Sequence, residues 1–355
     1  MNERLSIARA AYADVDLYDP QRSPIACDLT DNTNLWGAPP AAAQALQTVE
    51  SASVTRYPSL YAGALKVALA DYAGVSPDMV VTGCGSDDIL DSAMRAFAEP
   101  GDVVAGSDPT FAMIPIFARM NALKWHGVPE SAAAIGQPDV DALLATRARV
   151  TYLCSPNNPT GALISRDRIE RAIADAAGVV LIDEAYAEFA GVSSVELTIR
   201  SDRVLVIRTL SKAFGLAGLR VGYAIGHPAL VREVEKSRGP YKVNALAERA
   251  ALAALQHARA WVDAHVREAI TNRERLAEAL RGLGLAPLPS AANFVCVPVE
   301  NAERVGQALR AHGVAVRPFP ALPHVGDALR ITVGPWGMLE TLLDVLPAAL
   351  TEARA

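Results

Sequence analysis

VLVIRTLSKAFGLAGLRVGYAI, residues 204–225, is the stretch whose reading decides the fold. Its first four residues are apolar and mostly β-branched, which predicts a buried strand, and the run closes on Thr209, Leu210, Ser211 and Lys212. A glycine-spaced segment then leads to Arg220 and a second apolar run. A lysine at a strand end, set between hydroxyls and near an arginine, suits a Schiff-base amine beside a phosphate. Neighbouring cations depress its pKa, while the hydroxyls and the guanidinium hold the anion. A solvated loop lysine is the plainer alternative on this spacing alone.

Two upstream stretches sharpen the choice. Residues 179–186, VVLIDEAY, predict a strand that delivers Asp183 at its carboxyl end and Tyr186 just beyond. Residues 153–161, LCSPNNPTG, follow another apolar run and place Asn158 in a Pro/Gly-rich turn. A carboxylate, a phenol, an amide, a lysine and an arginine at the ends of parallel strands are what pyridoxal 5'-phosphate requires. The carboxylate keeps the pyridine nitrogen protonated, the phenol and amide bond the ring oxygen, and the lysine forms the imine.

The order S-P-N-N-P-T-G, D-E-A-Y, S-K-A-F-G-L-A-G-L-R resembles the fold-type-I pyridoxal-phosphate aminotransferases, and within them the histidinol-phosphate aminotransferase group. The resemblance runs from about Leu29 to Gly334. It implies an α/β fold, a mainly parallel seven-stranded-type sheet sandwiched by helices, with a smaller α+β domain. The alternation of strand and helix patterns through residues 122–225 independently predicts a parallel sheet covered on both faces. Ligands then bind beyond the carboxyl ends of the strands, where the motif residues fall. The expected division is an N-terminal arm at 1–34 joining the small domain, a cofactor-binding large domain at 35–245, and a linking helix with the small domain at 246–355.

Composition sets the outer bounds. The 355 residues are 51 % hydrophobic and 20 % charged with a net charge of −6, which suits a soluble protein and not a nucleic-acid surface. Cys27, Cys84, Cys154 and Cys296 show no paired spacing, and the six histidines form no metal-ligand pattern, so neither disulfides nor a metal is expected. No segment reads as a secretory signal or a membrane span, and a cytoplasmic location is expected.

Further candidates come in chain order. In GCGSDD (83–88), the turn Gly85, Ser86, Asp87 opens a helix and offers free N–H groups to a phosphate, although such a turn can equally begin a nucleotide site. It lacks a Walker lysine and the G-x-G-x-x-G spacing. By resemblance, Phe111 stacks on the pyridine ring where relatives usually carry tyrosine; a core aromatic is the alternative. The resemblance also implies that Tyr57, in R-Y-P, reaches across a homodimer interface to the neighbouring subunit's cofactor phosphate, with Thr209, Ser211 and Arg220 completing the cradle; a packing tyrosine is the alternative. By the same resemblance Tyr18, otherwise a surface tyrosine, and DLTDNTNLWGAPP (28–40) border the substrate, with Asn34 matching the family's N-x-N-P-Y-G and Leu35 and Trp36 departing from it. Arg330, in LRITVG (329–334), grips a substrate carboxylate by resemblance; alone it reads as an exposed strand arginine. In RGPYKVN (238–244), Lys242 replaces an asparagine.

The activity implied is ping-pong transamination of histidinol phosphate with 2-oxoglutarate, giving imidazole acetol phosphate and glutamate. Aromatic amino-acid transamination and a threonine-phosphate decarboxylase-like reaction are the alternatives. Two further classes are weighed against these. Aminotransferase-like transcription regulators need a DNA-binding module, for which about 34 residues before the first matched segment are too few. A dehydrogenase needs the dinucleotide fingerprint, which is missing.

Overall fold

The computed structural model describes residues 7–12, 15, 17, 24–130 and 135–354. Seven strands make the central sheet: β2 (Val80–Cys84), β3 (Val103–Asp108), β4 (Lys124–Pro129), β5 (Val150–Cys154), β6 (Val179–Asp183), β7 (Val204–Thr209) and β8 (Val221–Gly226). β1 (Cys27–Asp28) precedes them in the chain and lies elsewhere. The sheet order is β2-β8-β7-β6-β5-β3-β4, with β8 antiparallel to both neighbours and the remaining pairs parallel.

β5, β6 and β7 are buried at every position, which is why they read as near-continuous apolar runs. Their alternate side chains enter two separate cores. Val180, Ile182, Val204 and Val206 pack on one face, while Val179, Leu181, Leu205 and Ile207 pack on the other. A sheet sealed on both faces leaves only its strand ends for chemistry.

A second layer lies after residue 290. β9 (Phe294–Pro298), β11 (Arg317–Leu322) and β12 (Gly326–Thr332) form an antiparallel sheet in the order β11-β12-β9. The short β10 (Val314–Ala315) pairs in parallel with β1, Cys27 opposite Val314, so the first strand of the chain is held by its C-terminal part.

The structure departs from the sequence expectations in physically interpretable places. The linking helix expected at the start of 246–355 is two helices, Ala245–His257 and Arg259–Gly282, parted at Ala258 where φ −122° and ψ 12° leave the helical region. Further on, β11 carries Pro318 and Pro320, residues that count against a strand in general but that an edge strand tolerates. Among the described residues no helix is long and apolar enough to cross a membrane.

Candidate active site

The anion cradle is built where β2, β7 and β8 end together. β2 stops at Cys84 and the helix Gly85–Phe97 begins at once, directing its unpaired first-turn N–H groups and positive dipole end toward this edge. Because β8 runs the opposite way, its amino end lies at the same edge, preceded by Arg220. A Cβ on Gly85 would meet Arg220 Nη2 at 2.4 Å, and φ +81° there also favours glycine. A Cβ on Gly222 would come within 2.2 Å of Ser86 N, so the turn must lie directly against β8. Arg220 Nη2 reaches Asp87 Oδ2 at 3.2 Å. The Asp87 carboxylate therefore holds the arginine, and what this residue can offer an anion is its backbone N–H.

Thr209 and Ser211 form a small ring. Thr209 Oγ1 accepts from Ser211 N (3.1 Å) and has two acceptors within reach of its single proton, Ser211 Oγ (2.8 Å) and Val221 O (3.3 Å). Thr209 therefore fixes the Ser211 hydroxyl at the edge of the cradle.

Asp183 ends β6, 4 % exposed, with Oδ2 accepting from Tyr152 OH at 2.8 Å and Oδ1 from Ala185 N at 3.0 Å. Burial pushes its carboxyl up to about 6 despite these two bonds. A buried carboxylate of this kind suits a cationic partner. Tyr152 points to the same face two residues before the end of β5, a role that its place inside an apolar run concealed.

Lys212 lies three residues beyond β7, and Nζ donates to Asp31 O at 3.0 Å. Burial, and then the Arg330 guanidinium, draw its amine down to about 8. A far larger share of it is neutral near pH 7.5 than in a free lysine. Nζ also sits 5.9 Å from the centre of the Tyr186 ring.

Arg330 is buried on β12, 8 % exposed, against the expectation of an outward strand charge from patterning alone. Nη1 donates to Asn158 Oδ1 and Nη2 to Thr30 O, both at 2.6 Å, while Nε has no partner among the described residues. Phe294 and Phe319 each place a ring 5.5 Å from the guanidinium carbon. Arg317, absent from the sequence candidates, stands directly opposite Arg330 across β11 and β12. Two like charges facing each other are unfavourable until an anion joins them.

The loop carrying Asn158 is pinned from below. Asn157 accepts from Thr110 Oγ1 (3.0 Å) and donates to Pro109 O (3.0 Å), tying the turn after β5 to the segment that presents Phe111. Phe111 is half-buried ahead of the helix Met113–Met120, and packs against the core on that face. Tyr186 is buried, and its OH accepts from Asn32 Nδ2 at 3.1 Å.

The remaining candidates lie further out. Asn34 Nδ2 donates to Ala213 O (2.9 Å), next to Lys212, and Asn34 Oδ1 accepts from Trp36 N (3.0 Å). Trp36 packs edge-on against His265 at 5.8 Å, which places its ring beside the helix Arg259–Gly282. Lys242 Nζ pairs with Asp88 Oδ1 at 3.2 Å. Tyr57 is 84 % exposed and stacks on Tyr241 at 5.1 Å, so the chain's own fold leaves it at the surface. Tyr18 lies outside the described residues.

Known proteins resemble this chain over nearly its whole length. Residues 24–346 match the family described as aminotransferase class I and II. A histidinol-phosphate aminotransferase of Roseiflexus castenholzii is 38 % identical over 332 residues, covering 90 % of this chain and 88 % of its own. That of Methylibium petroleiphilum is 40 % identical over 310 residues, 83 % and 82 % of the two chains. Among solved structures, histidinol-phosphate aminotransferase from Sinorhizobium meliloti, in complex with pyridoxal-5'-phosphate, superposes with a TM-score of 0.87 at 26 % identity and covers 98 % of this chain and 99 % of its own. The strand-end lysine, the buried carboxylate and the arginine-backed helix turn thus sit in a chain that belongs to the aminotransferase class I and II family.

Proposed function

We propose that this protein is a pyridoxal-phosphate-dependent histidinol-phosphate aminotransferase. The observation that carries the reading is the convergence of Lys212, Asp183, Tyr186, Asn158 and Arg220 on one edge of the sheet, in a chain 38 % identical to a histidinol-phosphate aminotransferase. The residues present fit the cofactor. An anion has a helix N-terminus, a guanidinium and the Ser211 hydroxyl; a cationic ring nitrogen has the buried carboxylate of Asp183; and the amine of Lys212 is drawn down to about 8.

Pyridoxal phosphate supplies the carbonyl that condenses with amines and the electron-poor ring that accepts the electrons of the substrate Cα–H bond. Asp183 would keep a proton on the ring nitrogen. Tyr186 and the Asn158 amide would bond the ring oxygen, and Gly85, Ser86 and Asp87 N–H groups with Ser211 and Arg220 would fix the phosphate. Lys212 Nζ would be the base that carries the proton away from substrate Cα.

Histidinol phosphate carries no carboxylate, whereas glutamate and 2-oxoglutarate carry two. One cationic site must therefore accept a phosphate in one half-reaction and a carboxylate in the other. Arg330, with Arg317 facing it, supplies a guanidinium pair for both. Asn34, which donates to Ala213 O beside Lys212, borders the same space in this reading.

The reading also makes the protein a cytoplasmic homodimer in which Tyr57 reaches the partner's cofactor phosphate. Exposed Tyr57, Tyr241, Leu60 and Val54 support such an interface. Residues 35–245 form the cofactor domain, and 246–355 with the arm 1–34 form the smaller one, the pairing of β1 with β10 supporting that division.

Steady-state kinetics test the proposal. Glutamate formed from 2-oxoglutarate and histidinol phosphate, with parallel double-reciprocal lines, is the expected result. Turnover confined to aromatic amino acids, or carbon dioxide released from threonine phosphate, would replace it with one of the alternatives.

A further inference from the structure

Asn32 joins three parts of the chain at one buried point. It is 1 % exposed, and its φ of +55° lies in the left-handed region, which asparagine and glycine tolerate best. All four of its polar groups are engaged. Its N–H donates to Thr332 Oγ1 at 2.9 Å, its carbonyl accepts from Asn293 Nδ2 at 3.0 Å, and Oδ1 accepts from Thr332 Oγ1 at 3.2 Å. That leaves Nδ2 to donate to Tyr186 OH at 3.1 Å.

The direction of this last bond has a chemical consequence. In the opposite amide orientation, Thr332 Oγ1 would receive two N–H groups with no acceptor for its own proton among the described residues, and Tyr186 would donate to Asn32. With the amide as found, the phenol oxygen accepts a hydrogen bond from Asn32 Nδ2 and its own O–H must point elsewhere. A hydroxyl that accepts a hydrogen bond also becomes a stronger donor.

We propose that Asn32 is a positioning residue that locks Tyr186 as a hydrogen-bond donor to the cofactor's ring oxygen and so sets the pH at which the bound cofactor titrates. The proposal rests on the reading of Tyr186 given above. A strong donor stabilises negative charge on the ring oxygen. Weakening it lets that oxygen and the adjacent Lys212 nitrogen keep their shared proton to higher pH.

The test is a pH titration of the visible absorbance of the cofactor-loaded protein. Asn32→Gly removes the amide without straining the backbone, and should raise the midpoint by about half a unit to one unit. Tyr186→Phe should raise it further, and adding Asn32→Gly to Tyr186→Phe should change nothing more. Asn32→Asp supplies only acceptors when ionised, so it captures the Tyr186 proton and should approach Tyr186→Phe. Thr332→Val, which keeps the shape of the strand residue but frees the amide to turn, should give a smaller rise and serves if Asn32→Gly does not fold. A wild-type midpoint in Asn32→Gly or Thr332→Val beside a shifted Tyr186→Phe overturns the role of Asn32 alone, as does a further rise in the double variant. An unshifted Tyr186→Phe overturns the reading of Tyr186 and this proposal with it.

Discussion

Arg330 Nη1 lies 2.6 Å from Asn158 Oδ1, although the two residues are 172 positions apart in the chain. The contact joins β12 of the smaller sheet to the turn after β5, so the arginine proposed to bind the substrate anion and the amide proposed for the cofactor are set by one another. A planar guanidinium serves Asn158, Thr30 and an incoming anion at once, which an ammonium does not. Arg330→Lys is expected to lower kcat/KM for both glutamate and histidinol phosphate by roughly 10- to 100-fold, the range for a lost charged hydrogen bond. Initial rates with each donor check it.

The amine of Lys212, drawn down to about 8, loses its proton far below the pH of an ordinary lysine. Condensation needs the neutral amine, so the rate at which cofactor-free protein takes up pyridoxal phosphate should rise through pH 8 and level off above it. Stopped-flow absorbance from pH 6 to 10 measures this. A rise continuing toward pH 10.5 would mean that the amine is solvated.

For Asp183 the sign runs against the usual carboxylate. Its folded pKa of about 6 lies above the unfolded value, so in the cofactor-free protein its ionisation lowers stability as pH rises from about 4 to 6, by an amount on the order of 3 kcal/mol. Asp183→Asn should therefore leave the cofactor-free protein at least as stable at pH 7, while weakening cofactor retention by 10-fold or more, the counter-charge for the ring nitrogen being gone. Urea unfolding and cofactor release into dialysate separate the two effects.

On the opposite face of the sheet, Arg208 Nη2 pairs with Glu184 Oε2 at 3.0 Å, both residues buried. Glu184 follows Asp183 and Arg208 precedes Thr209, so this pair holds β6 and β7 level where they deliver the site. Arg208→Met leaves Glu184 buried without its partner and should cost about 3 to 5 kcal/mol in urea unfolding. Arg208→Met combined with Glu184→Gln should recover part of it.

Tyr57 is assigned to the neighbouring subunit's site. Tyr57→Phe should keep the dimer in sedimentation equilibrium and release cofactor several-fold faster, the loss of one phosphate hydrogen bond. Unchanged release would remove Tyr57 from the cradle.

What was legible in the sequence follows from what burial and backbone geometry demand of neighbouring residues. β5, β6 and β7 are sealed on both faces and so had to be written as apolar runs; Asp183 and Lys212 stood out because each breaks such a run at its end. Gly85 was visible as a turn glycine, and the structure adds that Arg220 occupies the space of its missing Cβ. Asn32, Tyr152 and Arg317 escaped notice for a common reason. Each acts through a partner distant in sequence, Tyr186, Asp183 and Arg330, and local spacing carries no record of such pairs. β11 was hidden by its two prolines, which an edge strand accommodates.

The most direct test of the account is a spectral titration of the cofactor-loaded protein with histidinol phosphate, without any oxo acid. The account predicts that the visible band is lost, that one equivalent of keto product forms per site, and that 2-oxoglutarate restores the band. Lys212→Ala should show no such cycle. A bound cofactor whose spectrum ignores histidinol phosphate but responds to an aromatic amino acid or threonine phosphate would contradict the substrate assigned here.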